Sequence, residues 1–111
     1  MRYINTLVEG ETIRNIYLCK GKRSAETRNG RPYDSLILQD KTGTLDGKVW
    51  DPNSSGIADY EEKDFIEVFG DVILYNNNRQ LNIRQAPAVQ KRAVFDYFYA
   101  FGNIYFRQPA A

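Results

Sequence analysis

The sequence predicts an all-β fold, a small barrel of five strands with a short helix between the third and the fourth. Three observations point there. Period-two alternation rich in β-branched and aromatic residues recurs between residues 13 and 85, the pattern of strands with one buried face. Clusters of Gly, Pro, Asn and Ser break that pattern at the spacing of tight connections. Finally, 111 residues at 42% hydrophobic and 26% charged suit one core and leave little room for a second.

Ile13, Ile16 and Leu18 mark the first strand, and YDSLILQ at 33–39 the second. DKTG at 40–43 is a tight connection in which Asp40 caps the turn, because an Asp side chain bonds backbone amides two residues on. TLDGKVW at 44–50 alternates cleanly, with Leu45, Gly47 and Val49 on one side and Asp46, Lys48 and Trp50 on the other. DPNSSG at 51–56 is a loop, and IADYEE at 57–62 allows a two-turn helix in which Ile57 and Tyr60 share a face. The fourth strand, DFIEVFGDVILY at 64–75, is interrupted at Gly70, where a bulge or bend is expected. Asn76, Asn77 and Asn78 form a turn into the fifth strand, RQLNIRQ at 79–85. This order matches the Greek-key OB-fold, whose second and third strands face ligands and whose first-to-second and fourth-to-fifth loops flank them. An SH3-like barrel is the competing architecture, and it gives no reason for a helix at that point.

Composition removes several chemistries. With no histidine there is no His-based triad, His-ligated metal or histidine general base. A single cysteine, Cys19, makes neither an internal disulfide nor a Cys-rich metal site, and it reads as a packed strand residue in a cytoplasmic protein without a secretory leader. The net charge of +1 hides an uneven distribution. Residues 14–31 carry six basic groups and one acid, 51–71 seven acids and one lysine, and 79–92 four basic groups and no acid. Such asymmetry suits a polyanion, although solvated faces without a partner have the same composition.

LILQDKTGTLDGKVWD at 36–51 resembles the strand-turn-strand core of OB-folds that bind single-stranded nucleic acid. Together with MRYIN at 1–5, IYLCK at 16–20, PYDS at 32–35, NSSGI at 53–57 and GDVILYNNNRQLNIR at 70–84, it resembles the N-terminal OB domain of the YhaM-type exoribonucleases. The resemblance covers residues 1 to about 86. It implies a module that binds the nucleic acid, which a metal-dependent HD phosphohydrolase domain cleaves from the three-prime end. A sequence without histidine cannot contain the HD motif, so the resemblance implies the binding half, with no catalytic residue, metal or cofactor here.

Single-strand binding needs aromatic platforms for bases and cations or amides for phosphates and base edges. Trp50 shares the parity of Lys48 and is the first stacking candidate, its alternative being a core residue that closes the barrel's end. Tyr33, beside Arg31, and Tyr17, between Ile16 and Leu18, are candidates by outward orientation, with ordinary packing as the alternative. Tyr75 is as much a hairpin-pairing aromatic as a base platform. Lys20, Lys22, Arg23, Arg28 and Arg31 lie in or beside GKRSAETRNGRP at 21–32, which reads as a long mobile loop for the phosphates or as a merely solvated one. Of Arg79, Gln80, Asn82 and Arg84, at least three share a strand face. The carboxylates around the third strand and the helix read as turn and surface groups, not as a two-metal site.

Residues 87–111 form a C-terminal tail set apart from the OB domain at 1–86. Seven of the chain's fifteen aromatics fall between Phe95 and Phe106, more than one helical stripe can bury. With Asp96 inside, the run is too short for a membrane span. A helix packed on the barrel, a homo-oligomer interface, a peripheral membrane anchor and a non-native end of a truncated reading frame are the alternatives. The leading expectation is a non-enzymatic OB module for single-stranded RNA or DNA with little sequence preference. The alternative is a protein-interaction or oligomerisation OB domain, and an enzyme with an unusual carboxylate site comes third.

Overall fold

The alternation in the third strand persists in three dimensions. A computed structural model describes residues 2–88, and in it Leu45, Gly47 and Val49 of β3 (Gly43–Val49) are buried while Thr44 and Asp46 are exposed. The other strands are β1 (Thr12–Glu26), β2 (Pro32–Asp40), β4 (Phe65–Tyr75) and β5 (Asn78–Gln85). They close a barrel in the order β1-β2-β3-β5-β4, antiparallel throughout except for the parallel pair β3–β5. β1 closes the ring because it is long: residues 12–18 pair with β4, residues 18–26 with β2, and Leu18 belongs to both ladders. The interior holds, among others, Ile13, Tyr17, Leu36, Leu38, Leu45, Val49, Val68, Val72, Leu81 and Ile83.

Local chemistry sets the corners. Asp40 accepts from the Thr42 amide at 2.8 Å and hydroxyl at 2.6 Å, as its turn role requires, and also from the Ile4 amide at 2.7 Å, which ties the 3-10 turn Ile4–Thr6 to the barrel. Asn76 and Asn77, at φ 52° and 65°, make the two-residue β4–β5 turn, where asparagine tolerates positive φ. The bulge expected at Gly70 is present, as the β4–β5 register shifts between Phe69 and Gly70. A Cβ on Gly70 would lie 2.2 Å from the Asn82 carbonyl oxygen, so the close approach of the two strands there demands glycine.

Two expectations are corrected. Residues 57–62 form no helix. Ile57 bridges to Ala86, the Ala58 amide bonds the Ala86 carbonyl, and Tyr60 is buried as part of an extended loop. Backbone bonds to the end of β5 satisfy groups that a helix of six residues, below the length at which nucleation is repaid, would satisfy poorly. Residues 21–32 are likewise no mobile loop. β1 and β2 stay paired from Gly21↔Ile37 to Glu26↔Pro32, and a short turn held by Thr27 and Arg31 caps the hairpin. The tail's aromatic run and the homo-oligomer expected through it lie outside the described residues.

Candidate nucleic-acid interface

The outer face of β2, β3 and β5 is built from the residues whose parity opposes the core. The ladders place Ser35 opposite Lys48 and Lys48 opposite Asn82, with Ile37, Asp46 and Gln80 forming the next row. Beyond the paired residues at the other end, Tyr33 meets Trp50. Their ring centroids are 5.1 Å apart and their planes tilted by 37°, an aromatic pair of ordinary stacking distance. Trp50 is 47% exposed, so the indole faces outward and is not core. Its Nε1 donates to Asn82 Oδ1 at 3.2 Å, and Lys48 Nζ donates to the Ser35 hydroxyl at 2.6 Å. A two-ring platform thus sits beside a row holding an ammonium and a carboxamide.

Other candidates separate. Tyr17 does not face outward: it is fully buried, with its hydroxyl donating to the Arg2 carbonyl at 2.8 Å. Residues 15–19 are all buried, so alternation there could not show which side faces the core. Cys19 pairs with Leu38 and Gly21 with Ile37, making Lys20 an exposed bulge residue that reverses the parity of the residues after it. Arg23, opposite Ser35, therefore joins the outer face. Lys22 goes the other way, its Nζ 2.9 Å from the Tyr60 carbonyl and 4.4 Å from that ring's centroid. Arg28 and Arg31 are exposed at the hairpin tip. Arg79 is a structural residue, bonded to the Ile4 and Leu7 carbonyls at 2.6 and 2.8 Å. Gln80, Asn82 and Arg84 share the outer parity, and Arg84 pairs with Asp71 at 3.1 Å over the Phe69 ring. Tyr75 is exposed at the β4–β5 turn.

Sequence reasoning placed Asp46 on the side of Lys48 and Trp50 but missed two members of the face, Ser35 and Ile37, for which the parity of Tyr33 was the signal. All three line a groove of about 390 Å³ with Lys22, Arg23 and Lys48, in which Asp46 and Glu62 oppose the cations. It also missed a buried polar cluster behind the hairpin. Asp34, only 6% exposed, accepts from the Tyr60 hydroxyl at 2.6 Å and the Ser24 hydroxyl at 2.8 Å. Burial, then the bond to Asp34, drives the Tyr60 hydroxyl pKa well upward. Burial likewise raises the Cys19 thiol to about 11, against a smaller opposing effect of Lys22, which leaves little thiolate at neutral pH. Among the described residues no three His, Cys, Asp or Glu side chains gather as a metal site, and no helix is long and apolar enough to cross a membrane.

No family profile matches the chain. It is 40% identical over 76 residues to the 3'-5' exoribonuclease YhaM of Listeria monocytogenes serotype 4b, covering 68% of this chain and 24% of that protein. To the protein of the same name from Bacillus velezensis it is 32% identical over 91 residues, covering 79% and 29%. The chain thus spans about a quarter of the length of these curated relatives. Among solved structures, the second OB-fold domain of replication protein A from Methanococcus maripaludis superposes with a TM-score of 0.61 at 19% identity, over 81% of this chain and 95% of that one. A replication protein A heterotrimer bound to ssDNA gives 0.59 at 15%, over 81% and 66%. At such identities the likeness is one of fold, and the barrel is an OB-fold.

Proposed function

Because the chain is homologous, over the length of one OB-fold domain, to the YhaM-type exoribonucleases, we propose that it binds single-stranded RNA or DNA on the outer face of β2, β3 and β5. One observation carries this reading: the exposed Tyr33–Trp50 pair stands beside Lys48 and Asn82 on a single face. Stacking on such rings contributes about 1 to 3 kcal/mol per base and tolerates any base, while cations along the groove hold the backbone. Arg23, Arg28, Arg31 and Lys48 are the phosphate ligands, with Lys20 at the margin. The relatives' name supports RNA as the natural strand, and a structural neighbour bound to ssDNA keeps DNA as the other candidate. The chain holds the strand in a cytoplasmic setting and supplies no catalytic group of its own.

Titrating short single strands while following Trp50 emission tests this. Binding should quench the indole, a duplex of the same sequence should compete poorly, and the strand should stay intact with added magnesium or manganese. Absence of quenching and of any mobility shift would overturn the proposal. Metal-dependent shortening that follows the protein through purification and is lost on Asp46 substitution would overturn its non-catalytic part.

A further inference from the structure

Resting on the reading that this face holds a single strand, we infer that Asn82 makes the face select bases by their carbonyl oxygens, favouring uracil and thymine over cytosine, and cytosine over adenine. An indole N–H can only donate. Nε1 of Trp50 lies 3.2 Å from Oδ1 of Asn82, and Nε2 of Gln80 approaches the same oxygen at 3.4 Å. Two donors converge on one atom, so the carboxamide cannot turn over without setting N–H against N–H. The orientation of an asparagine amide, elsewhere a matter of assignment, is fixed here by the chemistry of its neighbour. Oδ1 is occupied, and Nδ2 has no partner among the described residues.

The row bordering the rings therefore offers donors. Lys48, opposite Asn82 in the β3–β5 register, carries an ammonium that uses one proton on Ser35 and has no acceptor capacity. Two carboxylates flank this row: Asp46 belongs to the next row away from the rings, opposite Gln80, and Asp71, opposite Asn82 on its β4 side, accepts from the Thr12 hydroxyl at 2.7 Å and the Arg84 guanidinium at 3.1 Å. A base stacked on Tyr33 and Trp50 that turns an edge toward Lys48 and Asn82 must meet them with an acceptor. Uracil and thymine carry a carbonyl on each side of N3, so either orientation succeeds. Cytosine replaces one of the two with an amino group. Adenine has no carbonyl, and its N1 and N7 acceptors each lie beside the amino group, so either of those edges turned to this row sets a donor against a donor, an arrangement that loses a bond and its hydration together.

Ten-nucleotide homopolymers suit the roughly 4 to 16 nucleotides that one OB-fold spans. With oligo-U, oligo-C and oligo-A, and with oligo-dT and oligo-dA as the DNA arm, Trp50 emission should report affinities falling in the order U, C, A and dT, dA. The ends of each series should differ roughly tenfold. Asn82→Asp keeps an oxygen for the indole and replaces the free donor with a second acceptor. Its added charge weakens every strand alike, whereas the U-to-A ratio should fall to about one. Asn82→Leu, which adds no charge, should reduce the ratio too, and circular-dichroism melting of both variants verifies the barrel. Oligo-A self-stacking is identical for all three proteins, so a change in ratio isolates the side chain. Equal affinities for U and A in the unsubstituted protein, or a ratio that survives Asn82→Asp, overturn this inference while leaving single-strand binding in place. Failure of every strand to bind overturns both.

Discussion

Tyr33 and Asp34 are consecutive on β2 and leave opposite faces of the sheet, and the two clusters they belong to are made of similar parts. Outside stand two aromatic rings, a carboxamide and a lysine; inside stand a tyrosine, a carboxylate, a serine and a lysine. In the inner cluster every group is engaged within it: each Asp34 oxygen accepts one hydroxyl, and the Lys22 ammonium donates to the Tyr60 carbonyl and closes over the Tyr60 ring. The outer cluster has spare capacity, with Asn82 Nδ2 and two Lys48 protons unused. Residue type does not distinguish scaffold from proposed ligand site here. Unused bonding capacity at the surface does.

The sharpest way to break this contrast is to remove the inner carboxylate. Asp34→Ala strands the buried Tyr60 hydroxyl, at about 1 to 3 kcal/mol, while the exposed Ser24 hydroxyl returns to water, so stability should fall by about 2 kcal/mol and the melting temperature by about 10 °C. Below that melting temperature the folded protein should bind a single strand within about twofold of the original. Thermal unfolding read by circular dichroism, beside a binding titration at low temperature, checks both halves. A large loss of affinity in a protein that is still folded would mean that the inner cluster is part of the site.

Salt dependence gives the next largest effect. About four phosphate contacts on a single strand imply a slope of log affinity against log salt near −3, or about a fiftyfold fall between 50 and 200 mM. A flat response would remove Arg23, Arg28, Arg31 and Lys48 from the proposed site together. Trp50→Ala comes next, with affinity for a labelled strand reduced roughly thirtyfold by anisotropy and the melting temperature nearly unchanged, because the ring is 47% exposed. The opposite pattern, early melting with intact binding, would identify Trp50 as packing.

How far these regions can be read from sequence depends on local regularity. β3 alternates without a break, so Trp50 and Lys48 were legible as outward, and the turns at Asp40 and Asn76 were legible from side-chain chemistry alone. β1 was not. Both of its faces are buried over residues 15–19, which hid Tyr17's inward direction, and the bulge at Lys20 shifted the frame for everything after it. The absent helix has a related origin. Ile57 and Tyr60, three apart, fit a helical face and an extended loop equally, and only the long-range bonds to Ala86 decide. Arg79 looked like its strand neighbours until the 3-10 turn, over seventy residues earlier, supplied its two carbonyls.

The smallest effect tests the bulge itself, through two adjacent cations that it sends to different regions. Arg23 pairs across from Ser35 on the outer face, lines the groove with Lys48, and bonds no acidic side chain among the described residues. Lys22 also borders that groove, but its ammonium is engaged by the Tyr60 carbonyl and ring. Arg23→Ala should therefore lower single-strand affinity two- to fivefold, the effect of one partly exposed charge contact, and make the salt slope shallower by about 0.7. Its melting temperature should not move by more than a degree or two. Lys22→Ala should leave the slope unchanged and cost about 1 kcal/mol of stability, since a hydrogen bond and a cation-π contact are lost together. Had the hairpin kept the parity of residues 12–19, the two variants would exchange behaviours. Measuring both slopes and both melting curves therefore reads the register of β1 in solution, one residue on either side of the outer face.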